Sequence, residues 1–353
     1  MLIINDLHLG VTRQGGTTPQ SQQALRNHLR DQVANLIAGE MNEVTVNGDL
    51  FDGFTVDVFE VVKAYEIFAD WLHETGGTLN LIAGNHDWNP RGDKLSSFHL
   101  LCHFLKSHFS GRVRVFDYGY AHVSGNICCI PHMPNQELFN MEIEKAIAEG
   151  GDGNGWLLLH CNYKNTFAEN SDHSLNLNDD QIGRLIMAGW KLVLGHEHQG
   201  YELRGGKVIV TGNQFPSSIA DCLGEKGKRC LRTNGDAMEF VDTENMQNVF
   251  CEIDWRDLGN GPFILKHFYR IVGEASAAEA ADVISAISRF RQQCCEEVFC
   301  ITNAVKIAGN EAMADMAEVS LENVKAYDVV AAILKELTPE EGRVVRGLLC
   351  QQS

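Results

Sequence analysis

Five polar clusters stand in order along the chain: Asp6-Leu-His8, Gly48-Asp49-Leu-Phe-Asp52, Gly84-Asn85-His86-Asp87, His160 after Trp156-Leu-Leu-Leu, and Gly195-His196-Glu-His198. Together they offer neutral imidazoles, carboxylates and an amide oxygen, a mixed nitrogen and oxygen set that suits Mn, Fe, Zn or Co better than Mg or Ca. A dinuclear centre needs about seven protein donors with one carboxylate bridging, and it supports hydrolysis of phosphoesters. Taken singly, Asp-x-His or Gly-Asp-x-x-Asp is an ordinary turn pattern, because Gly, Asn and Asp favour turns for local reasons. Turn chemistry does not account for histidine at 8, 86, 160, 196 and 198. The glycines beside Asp49, Asn85 and His196 would let the backbone turn sharply and come close to the metals.

Each cluster follows an apolar run of strand length: Leu2 to Ile4, Val44 to Val46, Leu79 to Ile82, Trp156 to Leu159 and Leu192 to Leu194. Further strands are expected at Val113 to Phe116, Ile127 to Ile130 and Val208 to Val210. Helix-period segments alternate with them, so the first 250 residues read as an α/β domain with polar groups at the strand ends, where open sheets gather ligand chemistry. Ser21 is expected to cap a helix carrying Leu25, Leu29, Val33, Leu36 and Ile37. A second helix runs from about Asp57 to Glu74 and stops at Gly76-Gly77. Asn178-Asp-Asp-Gln181 reads as a capping-box start for a helix that ends near Gly189. Beyond residue 250, strand Phe263 to Val272, a helix capped by Ser276-x-x-Glu279, and strand Glu297 to Ile307 predict a small β-α-β unit over 251–316. Residues 317–353 predict a helical hairpin, with Thr338-Pro339-Glu-Glu341 between its arms and Val330, Ile333, Leu334, Leu337, Val345, Leu348 and Leu349 on one face.

The formal charge is −18, from 47 acids against 29 Lys plus Arg. This argues against a free-standing nucleic-acid binder driven by its own charge; a polyanion could still be met if bound metals and a basic partner supplied the positive field. Arg13, Arg91 and Lys94 lie beside the motifs, and Lys226, Lys228 and Arg229 form the one compact basic cluster, all read as solvated loop residues. None of the eleven cysteines is spaced Cys-x-x-Cys, and they read as small buried hydrophobes. No apolar run approaches a membrane span, the opening Met1-Leu-Ile-Ile lacks a basic leader, and a reducing cytoplasm is expected. Of the remaining histidines, His99 and His103 are spaced i, i+4 and read as an amphipathic surface. His132 and His173 are weaker candidates for substrate contact.

The five clusters resemble those of the calcineurin-like metallophosphoesterase superfamily, whose fold is a four-layer αββα sandwich. Asn5-Asp-Leu-His-Leu-Gly10, Gly48-Asp-Leu-Phe-Asp52 and Gly84-Asn-His-Asp87 are most similar to the SbcD family of DNA-repair nucleases and its phage relatives. A looser likeness continues through Gly212 to Ser217 and Glu225-Lys-Gly227. The resemblance implies one metal held by Asp6, His8, Asp49 and His198 and another by Asp49, Asn85, His160 and His196, with Asp49 bridging and Mn2+ as the ion. It implies a catalytic His86 at the leaving oxygen, with Asp52 and Asp87 orienting imidazoles. It further implies a capping domain at the β-α-β unit, docking of the C-terminal hairpin on an SMC-like coiled-coil ATPase (SbcC-type), and a homodimer. The expected function is a metal-dependent DNA exonuclease/endonuclease subunit in repair or recombination. The alternatives are a nucleotide or small-molecule phosphodiesterase or phosphatase, since substrate choice lives in loops, and a non-enzymatic module on the same scaffold.

Overall fold

The computed structural model describes residues 1–12, 19–88, 94–164, 174–214, 228–234, 237–243, 250–294 and 296–307. The C-terminal hairpin, Arg13, Arg91, His173 and Lys226 lie outside these residues. The chain divides into two compact units. One comprises Met1–Glu252, Pro262–Arg270 and Gln293–Thr302, and the other Ile253–Gly261, Ile271–Gln292 and the chain from Asn303.

The first unit is built on two six-stranded sheets. In sheet one, β1 (Leu2–Ile4), β2 (Glu43–Asn47), β3 (Thr78–Ile82) and β4 (Val113–Phe116) are parallel neighbours in that order. On the other side of β1 the sheet ends in the antiparallel hairpin of β13 (Arg229–Asn234) and β14 (Ala237–Asp242). Sheet two runs β11 (Tyr201–Leu203), β12 (Val208–Val210), β10 (Trp190–Gly195), β7 (Gly155–His160), β6 (Ile127–Ile130) and β5 (Ala121–Ser124). Its central members β12, β10, β7 and β6 are parallel. A short pair, β8 (Asn162–Tyr163) and β9 (Asn176–Leu177), follows β7.

Alternation along the strands explains the layers, since successive side chains of a strand face opposite ways. Leu2 and Ile4 of β1, Val44 and Val46 of β2, and Leu79 and Leu81 of β3 enter one buried cluster with residues of α1 (Pro19–Ala38), α2 (Val58–Thr75) and α3 (Ser97–His108). Leu157, Leu159, Leu192 and Leu194 enter a second with residues of α4 (Gln136–Glu149) and α5 (Asp179–Met187). The intervening residues Ile3, Ile82, Trp156, Leu158, Val193 and Ile209 form a third, where the two sheets meet. Helices, sheet, sheet and helices thus make the expected four-layer sandwich, each interface a contiguous apolar core.

Several expectations shift in detail. Ser21 is not a cap: the helix already begins at Pro19, and Ser21 is buried within it. Pro at the opening of a helix costs nothing, because the first amides have no helical partner. Asp57 caps α2 by accepting from Phe59 N, and Gly76 closes it in the left-handed conformation. Asn178 and Gln181 make the expected reciprocal capping box on α5. Beyond residue 250, β15 (Phe250–Asp254), β16 (His267–Val272) and β18 (Val298–Asn303) form a three-stranded sheet whose Phe250, Phe268 and Phe299 join the first core cluster. The two-residue strands β17 (Glu274–Ala275) and β19 (Lys306–Ile307) pair in parallel. In the second unit the Ser276–Glu279 capping box opens a 3-10 turn that leads into α6 (Ala280–Gln293).

Candidate metal centre

All five clusters lie at or just beyond the C-terminal ends of parallel strands: β1, β2 and β3 of sheet one, β7 and β10 of sheet two, with His160 the last residue of β7 and Gly195 the last of β10. The loops hang on one another through the backbone. Asp6 N donates to Gly48 O (3.1 Å), His8 N to Asp49 O (3.1 Å) and Gly48 N to Ile82 O (3.1 Å). Asp6, His8, Asp49 and His196 have φ of 50°, 45°, 47° and 90°. That left-handed backbone costs a non-glycine residue about 1–2 kcal/mol. It persists where surrounding bonds over-determine it, and such strain concentrates at functional sites.

The side chains converge in two groups. Ligand atoms of Asp6, His8 and His198 lie within 4.8 Å of one another, as do those of Asp49, His160 and His196. In the first group the Nε2 atoms of His8 and His198 are 3.0 Å apart. In the second, Asn85 Oδ1 lies 3.0 Å from His160 Nε2 and 2.8 Å from His196 Nδ1. His160 Nδ1 faces the Asn47 carbonyl at 3.2 Å and therefore donates there, so the ring turns its other nitrogen toward Asn85 and toward Asp49 Oδ2 at 3.3 Å. His196 Nε2 meets Ser174 Oγ at 3.0 Å, which likewise leaves Nδ1 facing inward. Oxygen and nitrogen lone pairs gathered this closely fit a divalent cation, and the donor types suit a borderline metal. The structure thus brings together all seven sequence-expected ligands, Asn85 included. His86 forms a further group with His8 and Asp52.

Electrostatics point the same way. Burial alone would raise the Asp49 carboxyl, but His160 and then His86 outweigh it and hold it well below the usual range. Burial would lower the His160 imidazole, yet the charge of Asp49 pushes it up to about 9. A proton then occupies the place on Nε2 that a cation would take, since metal ligands must shed their protons. His196 is pushed down to about 3 by burial and by the charge of His160.

The supporting shell departs from expectation in one respect. Asp52 stands behind two imidazoles: its carboxylate lies 3.4 Å from His8 Nδ1 without a hydrogen bond between them, and its backbone carbonyl accepts from His86 Nδ1 at 2.7 Å. Asp87 does not. Its carboxylate accepts backbone amides from Gly84 (2.9 Å), Leu50 (3.3 Å) and Phe51 (3.4 Å), tying the second and third loops together. Burial, then the charge of Asp49, raises the Asp87 carboxyl to about 6. Gly48 makes the expected sharp turn with φ 88°, and the glycines also leave room for the ligands themselves. A Cβ on Gly84 would stand 2.2 Å from Asp49 Oδ1, and one on Gly48 would stand 2.0 Å from His160 Nδ1.

Sequence reading missed Asn5, Ser174, Thr211, Gln214 and Lys228. Asn5 Oδ1 accepts from Thr211 Oγ1 (2.7 Å) and Gln214 Nε2 (3.1 Å), while its Nδ2 donates to Gly212 O (2.8 Å) and to the Asp6 carboxylate. The signal was present, because Thr211-Gly-Asn-Gln214 is a polar run directly after an apolar strand, as in the five clusters. Lys228, read as a solvated loop residue, is 1% exposed, and its Nζ donates to His198 O at 2.8 Å. Arg229 pairs with Glu202 and lies over the Phe240 ring. His99 is engaged by Ser96 and Asp117 while His103 is exposed, so the i, i+4 pair converges on nothing. His132 is buried beyond the end of β6.

One protein family, described as Calcineurin-like phosphoesterase, has a model that matches residues 1–212. Among curated proteins no match is found.

Proposed function

Because the chain belongs to the calcineurin-like phosphoesterase family of metal-dependent hydrolases, we propose that it is a dinuclear-metal phosphodiesterase acting on DNA, the nuclease subunit of an assembly with an SMC-like ATPase. The observation that carries the hydrolase reading is the convergence of Asn85 Oδ1, His160 Nε2 and His196 Nδ1 opposite the His8 and His198 pair, with Asp49 at hand. Divalent cations held there, Mn2+ in our reading, would lower the pKa of water and offset charge on the phosphoryl oxygens. Asp6, His8, Asp49 and His198 would hold one, and Asp49, Asn85, His160 and His196 the other.

His86 has a different part. Its Nδ1–H is committed to the Asp52 carbonyl, so Nε2, 4.0 Å from Asp49 Oδ2, is the atom free to carry a proton to a departing oxygen. Its side chain is 26% exposed against 2% for Asp49, which leaves it within reach of a bound ester.

DNA as substrate is supported by the likeness of the Asn5–Gly10, Gly48–Asp52 and Gly84–Asp87 segments to SbcD-type nucleases. The exposed Val58, Phe59 and Val62 of α2 support a homodimer, and the eight described free cysteines fit a reducing cytoplasm. The small-ester alternative draws on the burial of Lys228, which removes a cation from an acidic surface. The deciding assay supplies Mn2+ and compares linear DNA with bis(p-nitrophenyl) phosphate and with cyclic and linear nucleotides, with and without an SMC-like ATPase. The proposal expects DNA cleavage that is salt-sensitive and enhanced by the ATPase. Rapid nucleotide turnover with no DNA cleavage under any condition would sink it.

A further inference from the structure

We propose that Lys228 is a positioning residue for the first metal position: its buried ammonium grips the His198 carbonyl and so fixes where the His198 imidazole stands. The inference rests on the dinuclear reading of the site.

A lysine is almost never fully buried without a strong reason, because taking an ammonium out of water costs several kcal/mol. Lys228 is 1% exposed, and its Nζ lies 2.8 Å from His198 O. A hydrogen bond from a charged donor is roughly twice as strong as a neutral one. The same carbonyl accepts from Asn213 N at 3.3 Å. Two donors thus hold the peptide that follows His198, and they hold it from outside the Gly195–His198 loop.

Lys228 is itself anchored. Its carbonyl accepts from Thr243 N at 2.8 Å, and the next residue starts β13, which pairs with β1 at Leu2↔Arg232 and Ile3↔Leu231. Thr243 Oγ1 donates to Gln214 O at 2.8 Å, and Gln214 bonds Asn5, the neighbour of Asp6. The frame that carries Asp6 and His8 therefore also carries the lysine that holds His198. His198 comes from β10 of the other sheet, and its Nε2 must meet that of His8. A ligand on a loop is only as well placed as its supports, and loss of such a partner costs about 10–100-fold in metal affinity.

The test titrates Mn2+ into chelator-stripped full-length protein by calorimetry, with Mn2+ electron paramagnetic resonance to distinguish the two positions. Wild type, Lys228→Met, His198→Ala and the double variant are compared. The expected result is about 10–100-fold weaker binding at one position in Lys228→Met, the other within about twofold, and no further loss when Lys228→Met is added to His198→Ala. Wild-type binding by Lys228→Met overturns the proposal, as does equal weakening at both positions or an additive loss in the double variant. A Lys228→Met chain that is unfolded by circular dichroism where stripped wild type is folded also overturns it, because the ammonium then supports the fold at large. Wild type that binds no Mn2+ refutes the metal centre itself, a result distinct from all of these.

Discussion

Replacing Gly48 by alanine tests the geometry of the second metal position most directly. The new Cβ would stand 2.0 Å from His160 Nδ1, whereas ordinary contact begins at 3.4 Å, so the imidazole must retreat by about 1.4 Å. A metal–ligand distance tolerates only about 0.2 Å, far less than this retreat, so the ligand is lost. We expect Mn2+ affinity at that position to fall by at least about 10–100-fold and turnover by about 100-fold, or about 2.7 kcal/mol. Gly48 also has φ +88°, so alanine adds about 1–2 kcal/mol of backbone strain. Gly111→Ala separates the two effects: its φ is +82°, but nothing lies within 4 Å of the added Cβ. Both variants should melt lower in chelator, and only Gly48→Ala should lose Mn2+ affinity by calorimetry and turnover of bis(p-nitrophenyl) phosphate. If Gly48→Ala binds and turns over like Gly111→Ala, the placement of His160 against Gly48 is wrong.

Other substitutions probe other layers. His86→Ala should remove turnover by about 100-fold or more while calorimetry still finds two Mn2+ ions; loss of an ion would make His86 a ligand. Asp52→Asn removes the carboxylate behind His8 but keeps the carbonyl behind His86, so the first metal position should weaken by about 10–100-fold, and unchanged Mn2+ binding would refute that role. The raised His160 pKa makes proton and cation compete for Nε2. From pH 6 to about 9, affinity at the second position should rise roughly tenfold per pH unit with one proton released per ion, then level off. Calorimetry in buffers of differing ionisation enthalpy measures this directly, and binding without proton release contradicts the assignment.

Much of the site was legible because it lies where apolar strands stop. Leu2–Ile4, Val113–Phe116, Ile127–Ile130 and Val208–Val210 begin and end where the hydrophobic runs do. Two of the edge strands were harder to see: β11 is three residues long and neither it nor β14 is fully buried, so neither shows as a continuous apolar run. The supporting shell was hidden for a different reason. Ser174, Asn47 and Lys228 act on the site across long stretches of chain, through bonds to His196, His160 and His198, and nothing local in their sequence marks them. Asp87 shows the limit of motif reading, for it sits beside a histidine yet serves three backbone amides.

The ligands of each proposed ion are divided between the two sheets: Asp6 and His8 face His198, while Asp49 and Asn85 face His160 and His196. Asn47, whose Nδ2 reaches Leu159 O at 3.3 Å, crosses the same seam at the rim. Each ion would therefore rivet the sandwich at the edge where its layers would otherwise begin to peel. At a free concentration of 100 times Kd, one bound ion adds about 2.7 kcal/mol to the folded state. The supply of metal would thus govern not only how fast the protein works but how long each molecule survives unfolding and proteolysis, so that starvation for the ion thins the population before it slows the survivors.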